Sequence, residues 1–308
     1  MSNPFDPPST AGTPRLAPIP ASRVRIDVAG LSDRGKVRDT NEDAFAIFKL
    51  GRFMERITSS LPPGQPVERS EQIGYLLVVA DGLGGHEAGD VASQTAVANT
   101  LEMVRRAPHW ALKLDDPETR EGELQAMYER ATEYLVGMQA AIRERVAADP
   151  STAGMGTTWT SVYAVGLDLF MMHVGDSKAY LLRAGELSQL TRDHTLAQEY
   201  ADLGMIPQEE VASHRLHHVL TRAVGSHEET PEADYRHVRA APGDRLLICS
   251  DGLTDMAKEA DLAGVLARHP DSESACRGLI DLALERGGRD NITAIVAGFA
   301  DLAADRSS

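Results

Sequence analysis

Positive charge is scarce in this sequence. Lys and Arg number 31 against 46 Asp and Glu, leaving a net charge of -15 and a pI near 5.1. Proteins that track a nucleic-acid backbone gain affinity from clustered Lys and Arg, so DNA or RNA is not expected as the main partner. Most of the acidity reads as ordinary solubility charge, and part of it is available to hold cations. Cysteine is nearly absent: Cys249 lies in an apolar strand-like run and Cys276 in a helical segment. Two buried free thiols and a reducing, cytoplasmic compartment are expected in place of a disulfide framework. Long apolar runs are missing too. The nearest to a span of about 18 residues, Val162 to Val174, is broken by Asp168 and His173 and reads as paired strands. Residues 1–22, rich in Pro, Ser, Ala and Thr, lack the apolar stretch of a signal peptide and are expected to be a flexible tail, as are residues 303–308. These absences predict a soluble protein without membrane association.

What is present is a chain of 308 residues, 42% apolar, able to bury a large core. Strand-like runs are expected at residues 25–32, 43–48 and 75–80, the last apolar throughout and so buried on both faces. Residues 49–74, with Pro62, Pro63, Gly64 and Pro66, carry little periodicity and read as a surface excursion. Helical spacing predicts helices over 88–106 and 117–148. Short strands follow at 157–165, 169–174, 178–183 and 186–190, with Arg183-Ala-Gly-Glu186 as a hairpin turn. A polar, His-rich segment, about 193–224, interrupts this series and is read as a mobile flap. Strands at 236–239 and 245–250, helices at 253–268 and 272–286, and a closing strand at 292–299 complete the chain. Clustered strands and helices predict an α+β fold of two packed antiparallel sheets flanked by helices.

Four acidic residues stand where strands run out: Glu42 in Asn-Glu-Asp, Asp81 after Leu-Leu-Val-Val-Ala, Asp251 after Leu-Leu-Ile-Cys-Ser, and Asp290 in Gly-Arg-Asp-Asn-Ile-Thr. Carboxylates at a sheet rim, several beside a turn-making glycine, suit hard divalent cations. A metal-dependent hydrolase is the reading. Asp81 and Asp251 are each alone about as well explained as a turn residue before glycine; the set together is not.

The ordered segments Arg38-Asp-Thr-Asn-Glu-Asp43, Asp81-Gly-Leu-Gly-Gly-His86, Gly154-Met-Gly-Thr-Thr158, Val174-Gly-Asp-Ser177, Leu220-Thr-Arg-Ala-Val-Gly225, Ser250-Asp-Gly-Leu-Thr-Asp255 and Asp290-Asn291 resemble the motifs of the metal-dependent protein phosphatase family, the type 2C serine/threonine phosphatases, in a bacterial style. The resemblance spans roughly residues 23–300, and the domain is drawn at 23–302. It implies a serine/threonine protein phosphatase with two Mn²⁺ or Mg²⁺ ions and a bridging water that attacks phosphorus directly. In that arrangement Asp81 bridges the ions, Glu42 and the Gly82 carbonyl hold one, and Asp251 with Asp290 hold the other. Oxygen-only ligation disfavours zinc. Arg38 matches the phosphate-binding arginine, whose planar guanidinium pairs two phosphoryl oxygens. Asp176 and Asp255 match positions that, with Asp251, hold a weaker third ion in bacterial relatives. Asp43 is expected to orient a water beside the ions, and Asn291 to support its turn.

One position departs from the pattern. Some relatives carry a histidine general acid directly after the Asp-Gly pair, where this chain has Leu83; His86 lies three residues on and is not its equivalent. The acid is left unassigned. His214, His217 and His218 read as solvated loop residues, and Met155, Met171 and Met172 as core. Gly154 to Thr158 lacks the Lys-Ser or Lys-Thr of a nucleotide P-loop and is read as the entry to a strand. A cysteine phosphatase would need Arg six positions after Cys249 or Cys276, where the chain has Asp255 and Leu282. A two-metal nuclease lacks its basic-aromatic groove. The remaining alternative is a catalytically silent phosphoprotein-binding regulator of a kinase pathway, which the retained acidic set argues against. The implied partners are phosphorylated serine/threonine proteins tied to a serine/threonine kinase, met by a monomer.

Overall fold

The computed structural model describes residues 24–302 apart from 59, 61–68, 85–87, 107–113, 115–116 and 226–230. The expected tails, 1–22 and 303–308, lie outside the described residues, as does His86. One sheet has the order β1-β11-β10-β7-β8, built from β1 (Val24–Asp33), β7 (Lys178–Arg183), β8 (Glu186–Gln189), β10 (Arg245–Cys249) and β11 (Ile292–Asp301). The other runs β2-β3-β5-β6-β9, from β2 (Asp43–Glu55), β3 (Arg69–Leu83), β5 (Trp159–Val165), β6 (Asp168–Val174) and β9 (Asp234–Arg239), with the short β4 (Gly156–Thr157) against the end of β3. Among the described residues every strand pairing is antiparallel. The α+β sandwich expected from the sequence is the fold observed.

Side-chain alternation explains why the central strands are apolar throughout. Along β3, Leu77 and Val79 join the core between the sheets, while Leu76, Val78 and Ala80 join the outer core under α1 (Ala88–Arg106) and α2 (Pro117–Ala148). Along β10, Leu246 and Ile248 face the middle, and Leu247 and Cys249 face α5 (Glu259–Arg268) and α6 (Ser272–Glu285). With period-two geometry, a strand buried on both faces has no polar side left to show. Met155, Met171 and Met172 are buried as expected, and Cys249 and Cys276 are buried free thiols. Burial pushes both thiols up to about 12, which keeps them protonated.

The structure corrects two boundaries. Residues 49–55 and 69–74 are not a surface excursion but the outer arms of a long hairpin, in register from Asp43↔Asp81 to Glu55↔Arg69. Pairing supplies there what weak periodicity did not reveal. The helix expected at 253–268 is two: α4 (Asp251–Thr254), then α5. Asp261 Oδ2 accepts from the Lys258 amide at 3.0 Å, a cap that starts a new helix without Gly or Pro to mark the break. The β7–β8 hairpin turns through Ala184 (φ 51) and Gly185 (φ 87), the two positive angles of a type I′ turn. Residues 193–224 contain α3 (Leu196–Asp202) and a 3-10 turn at Gln208–Ser213. Isolated bridges Thr195↔Leu220 and Thr157↔Val224 tie this segment to itself and to β4.

Candidate metal centre

Antiparallel topology brings one end of both sheets together. Asp43 opens β2, Asp81 and Gly82 lie near the end of β3, Asp176 sits in the β6–β7 turn, Asp251 follows β10, and Asp290 precedes β11. Glu42 adjoins Asp43, and its carbonyl accepts from the Gly82 amide at 3.2 Å and from Ser93 Oγ of α1 at 2.7 Å. A Cβ at Gly82 would run into the Gly89 carbonyl and come within 2.7 Å of the Glu42 carbonyl, so only glycine lets α1 approach this rim. Gly252 is held likewise against the Asn291 carbonyl.

Asp43 is buried and links the sheets. Its Oδ2 accepts from Ser250 Oγ at 2.7 Å and Thr293 Oγ1 at 2.6 Å, while its Oδ1 is buried without a partner. Burial, only partly offset by those two bonds, pushes its carboxyl up to about 7. Asp81 is anchored through its backbone: its amide donates to Thr158 Oγ1 at 2.9 Å, and its carbonyl accepts from the Thr158 amide at 2.8 Å. Burial and the nearby Asp43, Asp251 and Asp176 raise the Asp81 carboxyl well above the carboxylate range. Burial likewise raises Asp251, with Asp255 and Asp290 adding to it, and Asp176, with Asp251 adding to it. Burial also raises Glu42, opposed by Arg38.

Arg38 is exposed and donates from Nη2 to Asp290 Oδ2 at 2.6 Å. Asn291 fastens the loop that carries Arg38 and Glu42. Its Oδ1 accepts from the Glu42 amide at 2.8 Å, and its Nδ2 donates to the Arg34 and Thr40 carbonyls at 2.9 and 2.8 Å. Asp255, exposed after α4, lies 4.0 Å from His217 Nε2. Leu83 ends β3 opposite Gly156. Residue patterning did not single out Thr158, Ser250, Thr293 or Lys178. The first three are short hydroxyl side chains whose role depends on a partner far away in sequence.

Among the described residues, no three His, Cys, Asp or Glu side chains converge closely enough to form a cation cage. Asp290 is engaged by Arg38. The donor set still fits a hard divalent ion. It is oxygen-only, Asp43 Oδ1 is a buried acceptor without a donor, and burial first, then neighbouring carboxylates, raises Asp43, Asp81, Asp176 and Asp251. A divalent charge is the simplest relief for such a group.

The class defined by fold and rim is a helix-flanked two-sheet sandwich with an acidic, cation-type centre at its strand ends. The chain belongs to the protein phosphatase 2C family, whose profile matches residues 67–282. It is 38% identical over 273 residues to the serine/threonine protein phosphatase PstP of Mycobacterium tuberculosis, covering 89% of this chain and 45% of that protein, so it spans about half of that relative's length. With the serine/threonine phosphatase stp of Listeria welshimeri it shares 32% identity over 266 residues, 86% of this chain and 92% of that one. Among solved structures it is similar to M. tuberculosis PstP (TM-score 0.69, 34% identity, covering 89% and 99% of the two chains). The S. agalactiae serine/threonine phosphatase gives a TM-score of 0.71 at 31% identity, again covering 89% and 99%. The PstP catalytic domain in complex with two manganese ions gives 0.67 at 33%, covering 90% and 100%.

Proposed function

We propose that this chain is a serine/threonine protein phosphatase that hydrolyses phosphoserine and phosphothreonine with two Mn²⁺ or Mg²⁺ ions. The observation that carries this is the oxygen-only set Asp43, Asp81, Asp176 and Asp251 at one end of the sandwich, raised by burial and then by neighbouring carboxylates, with Arg38 alongside. Asp81 would be shared between the ions, Glu42 and the Gly82 carbonyl would hold one, and Asp251 and Asp290 the other. Asp176, Asp251 and Asp255 would hold a weaker third ion. When bound, the ions lower the pKa of a water and neutralise charge on the phosphoryl oxygens.

The chain's own residues set the geometry. Asp43, pinned by Ser250 and Thr293, presents one buried oxygen to orient a water. Asn291 holds the Arg34–Glu42 loop, so that Arg38, which binds the phosphoryl group, and Glu42, which would hold an ion, are fixed by one tether. Arg38 binds the phosphoryl group by exchanging Asp290 for phosphate oxygens, a geometry suited to a guanidinium. Leu83 carries no proton to give, so the leaving-group acid comes from elsewhere. The domain is drawn at 23–302, with residues about 193–224 as its flap.

The substrates are phosphorylated proteins linked to a serine/threonine kinase, met in the cytoplasm by a monomer acting in signal transduction. No described helix is long and apolar enough to cross a membrane. Phosphate release from a phosphothreonine peptide with Mn²⁺, with EDTA and by Asp251→Asn tests the reading. Mn²⁺-dependent release, lost with chelator and in the variant, is the expected result. No release by folded, Mn²⁺-loaded protein would instead favour the silent phosphoprotein-binding regulator.

A further inference from the structure

Lys178 is a cation set among the carboxylates of the centre. It is the first residue of β7, and its register partner Cys249 lies two residues before Asp251. Its Nζ contacts Asp193 Oδ2 at 2.9 Å and donates to the Asp176 carbonyl at 3.0 Å. Both side chains of the ion pair are mostly buried, 15% exposed for Lys178 and 16% for Asp193. Asp193 also accepts from Gln189 Nε2 at 3.2 Å, which fixes it at the base of the 193–224 segment. The ion pair with Asp193 and the bond to the Asp176 carbonyl hold the ammonium in this mostly buried place. Arg38, a second cation at the centre, is exposed and pairs with Asp290.

We propose that Lys178 is a positioning residue whose ammonium, locked by Asp193, is a resident cation that sets how tightly divalent ions bind on the Asp176–Asp251 side. The inference rests on the two-ion reading above. A fixed positive charge beside these carboxylates repels an incoming divalent ion, and Asp193 mutes that repulsion by pairing with the lysine. The two residues therefore act with opposite sign. Removing the lysine charge tightens ion binding on this side, whereas removing the aspartate charge leaves the lysine unmuted and weakens it. A merely structural ion pair has no such asymmetry, because breaking it from either end disturbs the same packing.

The test is an Mn²⁺ titration of the full chain at pH 8, read by calorimetry and by the paramagnetic resonance of free Mn²⁺, with Lys178→Met, Asp193→Asn and Lys178→Arg. The weakest Mn²⁺ dissociation constant should fall about tenfold in Lys178→Met, rise about tenfold in Asp193→Asn, and stay within about twofold in Lys178→Arg. Shifts in the same direction, or none, would overturn the proposal while leaving the two-ion reading in place. Absence of Mn²⁺ binding by folded wild type would overturn both. If Lys178→Met does not fold, Asp193→Asn decides alone: unchanged or tighter binding there refutes the role.

Discussion

Asp43 and Asp81 face each other as register partners across β2 and β3, two carboxylates where a sheet penalises like charge. Asp43 is held there from the other sheet by Ser250 and Thr293. The pair is costly to assemble unless a cation shares it. Millimolar Mn²⁺ should therefore stabilise the protein. At an ion concentration about 100 times the dissociation constant, linkage supplies about 2.7 kcal/mol. For a domain of this size that is a rise of roughly 5–10 °C in Tm, reversed by EDTA. A melting curve indifferent to both would contradict a cation centre.

Replacing Arg38 separates substrate binding from ion binding. Arg38→Ala should raise KM for a phosphothreonine peptide by about tenfold or more while Mn²⁺ affinity moves by less than about threefold. Arg38→Lys should restore only part of the loss, since an ammonium cannot pair two oxygens in a plane. Steady-state kinetics beside calorimetry would decide; a variant impaired chiefly in Mn²⁺ binding would assign Arg38 to holding Asp290.

Gly82→Ala tests how closely α1 must approach the rim. The added methyl collides with the Gly89 and Glu42 carbonyls, so the backbone at a candidate ligand has to move. A displacement of about 1 Å near the reacting groups is worth about 100-fold in rate, and a loss of that order in Mn²⁺-dependent turnover is expected. Wild-type turnover in this variant would mean that the approach is not needed.

Asn291→Ala removes three hydrogen bonds that tie the Arg34–Glu42 loop to the start of β11. A cost of about 2–4 kcal/mol follows at roughly 1 kcal/mol per bond. Urea unfolding measures it directly. Mn²⁺ affinity should fall along with stability, because Glu42 loses its tether.

His173 gives a pH dependence. It is buried, with Nδ1 2.8 Å from Thr160 Oγ1 and Nε2 3.0 Å from the Arg192 carbonyl. The carbonyl requires an Nε2 proton, so Nδ1 accepts from the hydroxyl and the ring is neutral. Burial pushes its pKa down to about 3, with the neighbouring His194 adding to the shift. The unfolded chain therefore binds a proton on this ring near pH 6.5 that the folded chain refuses, and stability is lost as pH falls from there toward 3. The contribution is on the order of a few kcal/mol. Denaturation between pH 4 and 7 should be less steep in pH for His173→Gln than for wild type; identical slopes would refute the assignment.

Much of the architecture was legible before any coordinates. The run 75–80 announced a strand buried on both faces, because such a strand carries no polar side, the segment 245–250 announced a strand, and helices 88–106 and 117–148 matched their periodicity. The hairpin arms at 49–55 and 69–74 were not legible. Their strand character comes from pairing with each other, which weak local periodicity does not report. The break between α4 and α5 was hidden for a similar reason, since Asp261 capping Lys258 leaves no Gly or Pro as a sign.

By itself the sequence determined the residue types at the strand ends, their oxygen-only chemistry and the family they resemble, because motif spacing and apolar runs are local properties of the chain. Tertiary structure decided which residues answer to which. Ser250 and Thr293 hold Asp43 from the opposite sheet, Thr158 anchors Asp81, and Lys178 with Asp193 sets a cation beside Asp176. The first depends on two sheets closing face to face, the others on strands and their turns pairing within one sheet. A hydroxyl or an ammonium acquires its role from a charge that lies up to 250 residues away in sequence and a hydrogen bond away in space.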